Sequence, residues 1–151
     1  MNETVYKVAT LEETREFANK WLNDLILQFK DKNSAVVVGL SGHLGAGKTA
    51  FTKIIAELIG IQETVTSPTF VIMKSYDLGS NFPWNKMIHM DLYRLENKED
   101  LKPLKFAELI AGQNLIIVEW PENVGLKVDI QINFSIVDTQ GLREIKVINN
   151  N

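Results

Sequence analysis

The sequence contains no cysteine, which excludes a disulfide framework and any metal site built from thiolates. No apolar run approaches the roughly 20 residues that a helix needs to cross a bilayer. Residues 1–4 also lack the basic region and following apolar stretch of a signal peptide. We therefore expect a cytoplasmic protein with no membrane association.

The sequence also has fewer basic than acidic residues. The chain has 16 Lys and Arg against 19 Asp and Glu, which gives a formal net charge of −3 at pH 7. A protein that binds nucleic acid strongly by itself usually carries a basic face. The charge balance therefore argues against autonomous RNA binding. The 151 residues and the hydrophobic content of 45% suit one soluble globular domain spanning 1–151.

The most informative stretch runs from Gly42 to Thr49 and fits the phosphate-loop pattern G-x-x-x-x-G-K-[ST]. Its glycines let the backbone turn sharply, and successive amide N–H groups then form an anion-binding nest. We expect Lys48 to reach the β- and γ-phosphates of a nucleotide and the Thr49 hydroxyl to bind Mg²⁺. Ala35–Leu40 before the loop reads as a buried strand, and Phe51–Ile59 after it has helical spacing. Strand, glycine loop and helix form the arrangement that this motif requires.

A P-loop nucleotidase also needs an acid for Mg²⁺ at the end of a strand beside the loop. Two residues compete for this role: Glu119, directly after Leu115–Val118, and Asp91, directly after Met87–Met90. We favour Glu119 because four apolar residues lead straight into it. The simpler alternatives are a water-exposed acid at a strand end for Glu119 and a turn-forming or ion-paired residue for Asp91.

One further loop and two further residues have both a functional and a structural interpretation. Thr66, Ser67 and Thr69 lie in a loop where P-loop switches place a γ-phosphate-sensing hydroxyl, or they form a local turn around a proline. Trp120 either covers the site or a partner, or belongs to the core or its rim. His89 either supports a metal ligand or is a strand histidine with a structural partner.

Two short motifs look like the guanine-reading sequences of GTPases. Asn97–Asp100 fits N-K-x-D and Asp138–Gly141 fits D-x-x-G. Their order is inverted relative to a GTPase, and each lies at a turn or helix start. Guanine specificity has no support, and adenine is the default base.

The remaining periodicity predicts an α/β fold: a P-loop-NTPase-like central mixed sheet flanked by helices, with a C-terminal β-hairpin. Thr10 and Glu13 fit a capping box at the start of the first helix. A helix from Lys98 is expected to break near Pro103, and the tail at 149–151 is expected to fray. The remaining predicted strands are Val5–Ala9, Phe70–Tyr76, Met87–Tyr93, Leu115–Trp120, Val128–Val137 and Leu142–Ile148.

Four motifs in this order resemble the TsaE family (also called YjeE), small P-loop ATPases of bacterial tRNA threonylcarbamoyladenosine synthesis. They are the loop at Gly42–Thr49, TSPTF at Thr66–Phe70, HMDLYR at His89–Arg94 and EWP at Glu119–Pro121. The resemblance covers about residues 10–121, and the last hairpin matches only in type.

The resemblance implies a weak Mg²⁺-dependent ATPase that acts with TsaD and TsaB and reaches tRNA only through that complex. It implies catalytic roles for Lys48, Asp91 and Glu119, with Mg²⁺ held by Thr49 and Glu119. The nucleotide contacts that it implies are Thr10, Gly42, Gly45, Ala46, Gly47, Lys48, Thr49, Ala50, Thr66 and Trp120. For Thr10, the capping role is already a sufficient explanation.

Two other functions stay open from the sequence. A small-molecule kinase needs a lid with several arginines, whereas Arg143 is the only arginine after Gly112. A non-hydrolysing, nucleotide-gated adaptor would use the same loop without turnover. Arg94 is a candidate arginine finger, and a partner protein is the other source.

Overall fold

The computed structural model describes residues 2–43, 45–63, 65 and 72–151. Within these ranges, seven strands form one mixed sheet in the order β1-β7-β6-β2-β5-β4-β3. The α/β class with a mixed central sheet is thereby confirmed. In chain order the elements are β1 (Asn2–Val8), α1 (Leu11–Phe29), β2 (Val36–Ser41), α2 (Lys48–Leu58), β3 (Met73–Asp77), β4 (Lys86–Asp91), a 3-10 helix (Lys98–Leu104), α3 (Phe106–Ala111), β5 (Asn114–Glu119), a 3-10 helix (Pro121–Val124), β6 (Ile130–Ile136) and β7 (Arg143–Asn149).

The centre of the sheet is parallel. β2 pairs with β5 on one side and β6 on the other, and β4 pairs with β5. β2, β4 and β5 are almost entirely buried, which explains their near-continuous apolar sequences. Because these strands run the same way, their carboxyl ends meet at one edge of the sheet. The phosphate loop, Asp91 and Glu119 all lie at that edge.

Helices α1 and α2 cover one face of the sheet. Their shared contact is centred on Phe51, which is fully buried one turn into α2. The ring centroids of Phe17, Trp21 and Phe134 lie 5.9, 5.2 and 5.6 Å from that of Phe51. This aromatic packing ties α1, α2 and β6 together and so fixes the start of α2 against the sheet.

The opposite face carries the shorter helices. Leu101 of the first 3-10 helix and Val124 of the second pack with Ile88, Met90 and Ile116 of the central strands. No helix in the described ranges combines the length and apolarity needed to cross a bilayer.

The start of α1 shows the predicted capping by Thr10. The reciprocal hydrogen bond of the capping box is shifted by one residue. The Thr10 hydroxyl oxygen accepts a hydrogen bond from the Glu13 N–H at 3.1 Å. The Glu13 carboxylate in turn accepts from the Ala9 N–H at 3.1 Å rather than from the N–H of the capping residue itself. Thr10 is therefore the N-cap, as predicted, at the point where β1 turns into α1.

The predicted C-terminal hairpin exists, but its tail is ordered. β6 and β7 pair antiparallel, and β7 also pairs with β1, placing Asn149 opposite Asn2. The prediction of a frayed end is wrong, because the Asn150 N–H donates to the Asp129 carbonyl oxygen at 2.9 Å. The Asn151 side chain also donates to Asp129. These acceptors come from a distant turn, so local sequence periodicity carries no sign of them.

The strand predicted at 70–76 is shorter where it can be compared. β3 begins at Met73, and Ile72 before it has a left-handed φ of 68°, which no strand residue adopts. Phe70 and Val71 lie outside the described residues. β3 and the next strand, β4, pair antiparallel.

Candidate nucleotide site

The phosphate loop connects the end of β2 to the start of α2. Gly42 has φ +146°, and a Cβ there would lie 2.5 Å from the carbonyl oxygen of Phe134 in β6. Gly45 has φ +80°, and no atom of the described residues lies within 4 Å of where its Cβ would be. The first glycine therefore permits close backbone packing, whereas the second leaves open space in front of the loop. Leu44 lies outside the described residues.

Lys48 is the first residue of α2, and only 5% of its surface is exposed. Its ammonium group donates to the carbonyl oxygen of Gly42 and, at 3.3 Å, to that of His43. It also lies 4.4 Å from the centroid of the Trp120 ring. Burial lowers the pKa of Lys48, although the carboxylates of Glu119, Asp91 and Glu122 act in the opposite direction. The lysine thus points across its own loop, where phosphate oxygens can replace the carbonyl partners.

The two competing acids lie side by side. Asp91 ends β4 and Glu119 ends β5, and the parallel register makes them direct partners. Both are buried, with 5% and 3% of their surfaces exposed. The backbone beyond them is held by the Leu92 N–H, which donates to the Glu119 carbonyl oxygen, and the Trp120 N–H, which donates to that of Leu40, each at 3.0 Å. The interpretation of Glu119 as a water-exposed acid is wrong, because two neighbouring strands enclose it.

The carboxylates differ in what holds them. Asp91 accepts a hydrogen bond from the backbone N–H of Tyr93 at 3.0 Å, which is the turn-forming role considered from the sequence. Glu119 instead contacts the side chain of His89, with 2.7 Å between Nε2 and Oε2. His89 therefore has a structural partner, and that partner is the predicted metal ligand.

A cavity of about 230 Å³ opens between the loop and the strand ends. It is lined by Gly45, Gly47, Lys48, Thr49, Ala50 and Glu119. The structure thus brings together the two residues predicted to hold Mg²⁺, Thr49 and Glu119. A hydroxyl and a carboxylate beside a phosphate loop suit Mg²⁺, which prefers oxygen ligands and keeps several of its waters. In the described part of the chain, no three His, Cys, Asp or Glu side chains gather into a protein-only metal site.

A second cavity, of about 350 Å³, lies on the other side of the loop. Thr10, Ala46, Ala50 and Arg143 are among its lining residues, so the predicted contact at Thr10 adjoins the loop. Arg143 Nη2 lies 3.5 Å from the Gly45 carbonyl oxygen. No local sequence pattern predicts Arg143 at this place, because only the pairing of β7 with β1 and β6 brings it to the loop.

Trp120 links the strand end to the loop. Its backbone is left-handed, with φ 62°, and its ring lies 5.3 Å from that of Tyr93. The half-buried indole therefore lies at the rim and also touches Lys48. Thr66, Ser67 and Thr69, the predicted sensing hydroxyls, lie outside the described residues.

A polar chain near the loop had no signal in the sequence. The Ser41 hydroxyl donates to a Glu122 carboxylate oxygen at 2.7 Å, and the Gln131 side-chain amide donates to the Ser41 oxygen at 2.8 Å. This chain joins β6, β2 and the helix after Trp120. It also keeps the negative charge of Glu122 in the environment of Lys48.

Fold and site together define the class of protein. A glycine loop between a parallel strand and a helix, with a buried lysine and acids at the ends of the next two strands, is the arrangement of a nucleotide-binding P-loop protein. The family model described as "Threonylcarbamoyl adenosine biosynthesis protein TsaE" matches residues 8–145. The chain belongs to the TsaE family, as the four motifs predicted.

Relatives support the same assignment. The tRNA threonylcarbamoyladenosine biosynthesis protein TsaE of Treponema pallidum is 38% identical over 113 residues, which cover 74% of this chain and 80% of that protein. The protein of the same name from Bacillus subtilis is 46% identical over 84 residues, covering 56% of this chain but only 49% of that protein. The crystal structure of Bacillus subtilis YdiB superimposes with a TM-score of 0.72 and 28% identity, covering 99% of this chain and 87% of that one.

Proposed function

We propose that this protein binds ATP with Mg²⁺ and hydrolyses it slowly, as an accessory protein for N6-threonylcarbamoyladenosine modification of tRNA. It acts with TsaD and TsaB, in the cytoplasm and as a single domain. The observation that carries the proposal is the position of Lys48, whose ammonium group contacts the loop carbonyls and is influenced by the charge of two buried acids. The names of the relatives supply the pathway.

Phosphate binding falls to the loop and to α2. The backbone amides of Gly45, Ala46, Gly47, Lys48 and Thr49 form the anion nest together with the amide of Ala50, and the N-terminus of α2 adds its positive dipole end. The ammonium group of Lys48 leaves the carbonyl oxygens of Gly42 and His43 and contacts the β- and γ-phosphates. Trp120 stays beside this ammonium and limits access of water.

The acids serve the reacting end of the nucleotide. Thr49 through its hydroxyl and Glu119 through its carboxylate hold Mg²⁺, which when bound neutralises charge on the β- and γ-phosphate oxygens. Asp91 or Glu119 orients the attacking water. No covalent intermediate is required, because positioning and charge stabilisation supply most of the catalysis in this class of reaction.

The nucleoside occupies the larger cavity. Adenosine lies on the side of the loop lined by Thr10, Ala46 and Ala50, with Arg143 at its edge. Both cavities adjoin the same loop, since Gly45, Gly47 and Ala50 line each of them. Thr66 is the proposed sensor of the γ-phosphate.

Partners complete the function. An arginine finger supplied by another protein can raise hydrolysis about 10³–10⁵-fold, and a net charge of −3 gives this chain no excess of basic groups for tRNA. We therefore expect slow hydrolysis by the isolated protein, little change with tRNA alone and a large increase with TsaD and TsaB from the same source. Steady-state ATPase assays of the protein alone, with tRNA, and with TsaD and TsaB test this expectation. Rapid turnover by the isolated protein, unaffected by TsaD and TsaB, would contradict the partner-dependent function.

A further inference from the structure

His89 is a buried imidazole in an otherwise apolar strand. It lies within β4, after Met87 and Ile88 and before Met90. The side chains of His89 and of these three neighbours have no exposed surface. Its Nε2 lies 2.7 Å from Glu119 Oε2. Its Nδ1 is buried and has no hydrogen-bond partner within the described part of the chain.

The pairing determines which ring nitrogen carries the proton. An ionised carboxylate only accepts hydrogen bonds, so His89 Nε2 must donate to Glu119. In the neutral ring, Nδ1 is then a buried acceptor without a partner among the described residues, which opposes folding. An aliphatic residue would pack in this strand without that penalty. What the imidazole provides at this position is therefore the hydrogen bond that its Nε2–H donates to the Glu119 carboxylate.

The hydrogen bond from His89 constrains only one of the two carboxylate oxygens of Glu119. Oε2 is occupied by His89, while Oε1 has no hydrogen-bond partner among the residues that the structure describes. Glu119 also lines the cavity that contains Thr49. The hydrogen bond fixes the plane of the carboxylate and leaves one oxygen to receive a ligand in the cavity.

Asp91 provides the contrast on the adjacent strand. Its carboxylate is oriented by the backbone N–H of Tyr93, a donor that follows from the turn itself. The orientation of the Glu119 carboxylate depends on the side chain of His89, so a single substitution of His89 can release it.

We propose that His89 is a positioning residue that orients Glu119 for magnesium bound with the nucleotide. The inference rests on the proposed function, because it assigns His89 a role in that same site. Hydrogen-bond partners of metal-binding carboxylates typically change metal affinity by roughly 10- to 100-fold when they are removed.

The first test measures nucleotide affinity of the full chain as a function of Mg²⁺ concentration. His89→Leu should raise the Mg²⁺ concentration at half-effect roughly 10- to 100-fold, while affinity in EDTA stays unchanged. His89→Gln keeps an N–H donor and should recover most of the loss. Met87→Leu is the matched packing control, since it changes a buried residue of the same strand at nearly constant volume.

The second test reads the ring directly and does not depend on nucleotide. Nitrogen-15 NMR of the wild-type histidines, without Mg²⁺, should show His89 as the Nε2–H tautomer. The Nδ1–H tautomer would overturn the proposal, because that form cannot donate to Glu119. This measurement can overturn the proposal even if His89→Leu fails to fold, because the positioning role requires this hydrogen bond.

The outcomes separate two kinds of failure. If wild-type protein shows no nucleotide binding or no effect of Mg²⁺ on it, the proposed function is wrong and this inference falls with it. If wild-type binding depends on Mg²⁺ and His89→Leu shows the same dependence, only the positioning role of His89 is overturned.

Discussion

The two sides of the phosphate loop are built from different halves of the sheet. On one side, the parallel strands β4 and β5 end in the buried acids Asp91 and Glu119. On the other side, the antiparallel strands β1 and β7 and the start of α1 bring Thr10 and Arg143 to a larger cavity. The first side has the charge needed for chemistry on phosphate. The second has the larger cavity, which we propose for the nucleoside, with Thr10 and Arg143 among its lining residues.

This division shows why the loop lies where it does. Parallel strands end at the same edge, so residues from β2, β4 and β5 converge there although long stretches of chain separate the strands. The antiparallel strands add a wall beside that edge, because β7 pairs with both β1 and β6. Substitutions on the acidic side should therefore change catalysis, and substitutions on the nucleoside side should change affinity.

The largest effect is expected where the two sides meet, at Lys48. Lys48→Ala removes the ammonium that offsets phosphate charge, so ATP hydrolysis should fall at least about 100-fold and tight binding should be lost. The fold should persist, because the aromatic packing around Phe51 is untouched. Calorimetric ATP titration and circular dichroism measure the two effects.

Lys53→Ala is the matched control for the lysine, since Lys53 is an exposed lysine of the same helix. It should bind and hydrolyse ATP like the wild type. Normal turnover by Lys48→Ala would remove the assignment of this loop as the phosphate site.

The second prediction separates the two acids. Glu119→Gln should lower Mg²⁺-dependent hydrolysis by roughly 100-fold while nucleotide binding without Mg²⁺ stays largely intact, because the phosphate nest remains. Asp91→Asn is the matched comparison on the adjacent strand. A silent Asp91→Asn with an inactive Glu119→Gln identifies Glu119 as the essential acid, and the reverse result shows that the two were ranked wrongly.

Much of this acidic side is predictable from the sequence because its signals are local. The loop pattern, the apolar run into Glu119 and the helical spacing after Phe51 each lie within a short stretch of chain. The contact between His89 and Glu119 is different. It requires the parallel register of β4 and β5, and nothing in either strand alone specifies that pairing.

The nucleoside side is harder to predict for the same physical reason. Arg143 reaches the loop only because β7 lies between β1 and β6, and the tail is ordered only because Asp129 accepts its hydrogen bonds. Both depend on partners far away in the chain. Thr10 was predicted from the capping pattern and from family resemblance, and the capping alone is a local signal.

The smallest expected effect tests whether the nucleoside side has a binding role beyond its structural one. Thr10→Ala removes the N-cap of α1 and should lower the free energy of unfolding by about 1 kcal/mol. If Thr10 also contacts the nucleoside, its loss should weaken binding of ATP but not of inorganic tripolyphosphate, which occupies only the phosphate loop. Binding titrations of both ligands and thermal unfolding separate the two contributions.

Asn97→Ala is the matched control, because the Asn97 side chain caps the 3-10 helix at Lys98 by accepting from the Glu99 N–H at 3.0 Å. It should cost similar stability without changing either affinity. Equal losses of ATP and tripolyphosphate affinity in Thr10→Ala would show that the effect arises from a disturbed loop, and the two sides would then not divide the nucleotide as proposed.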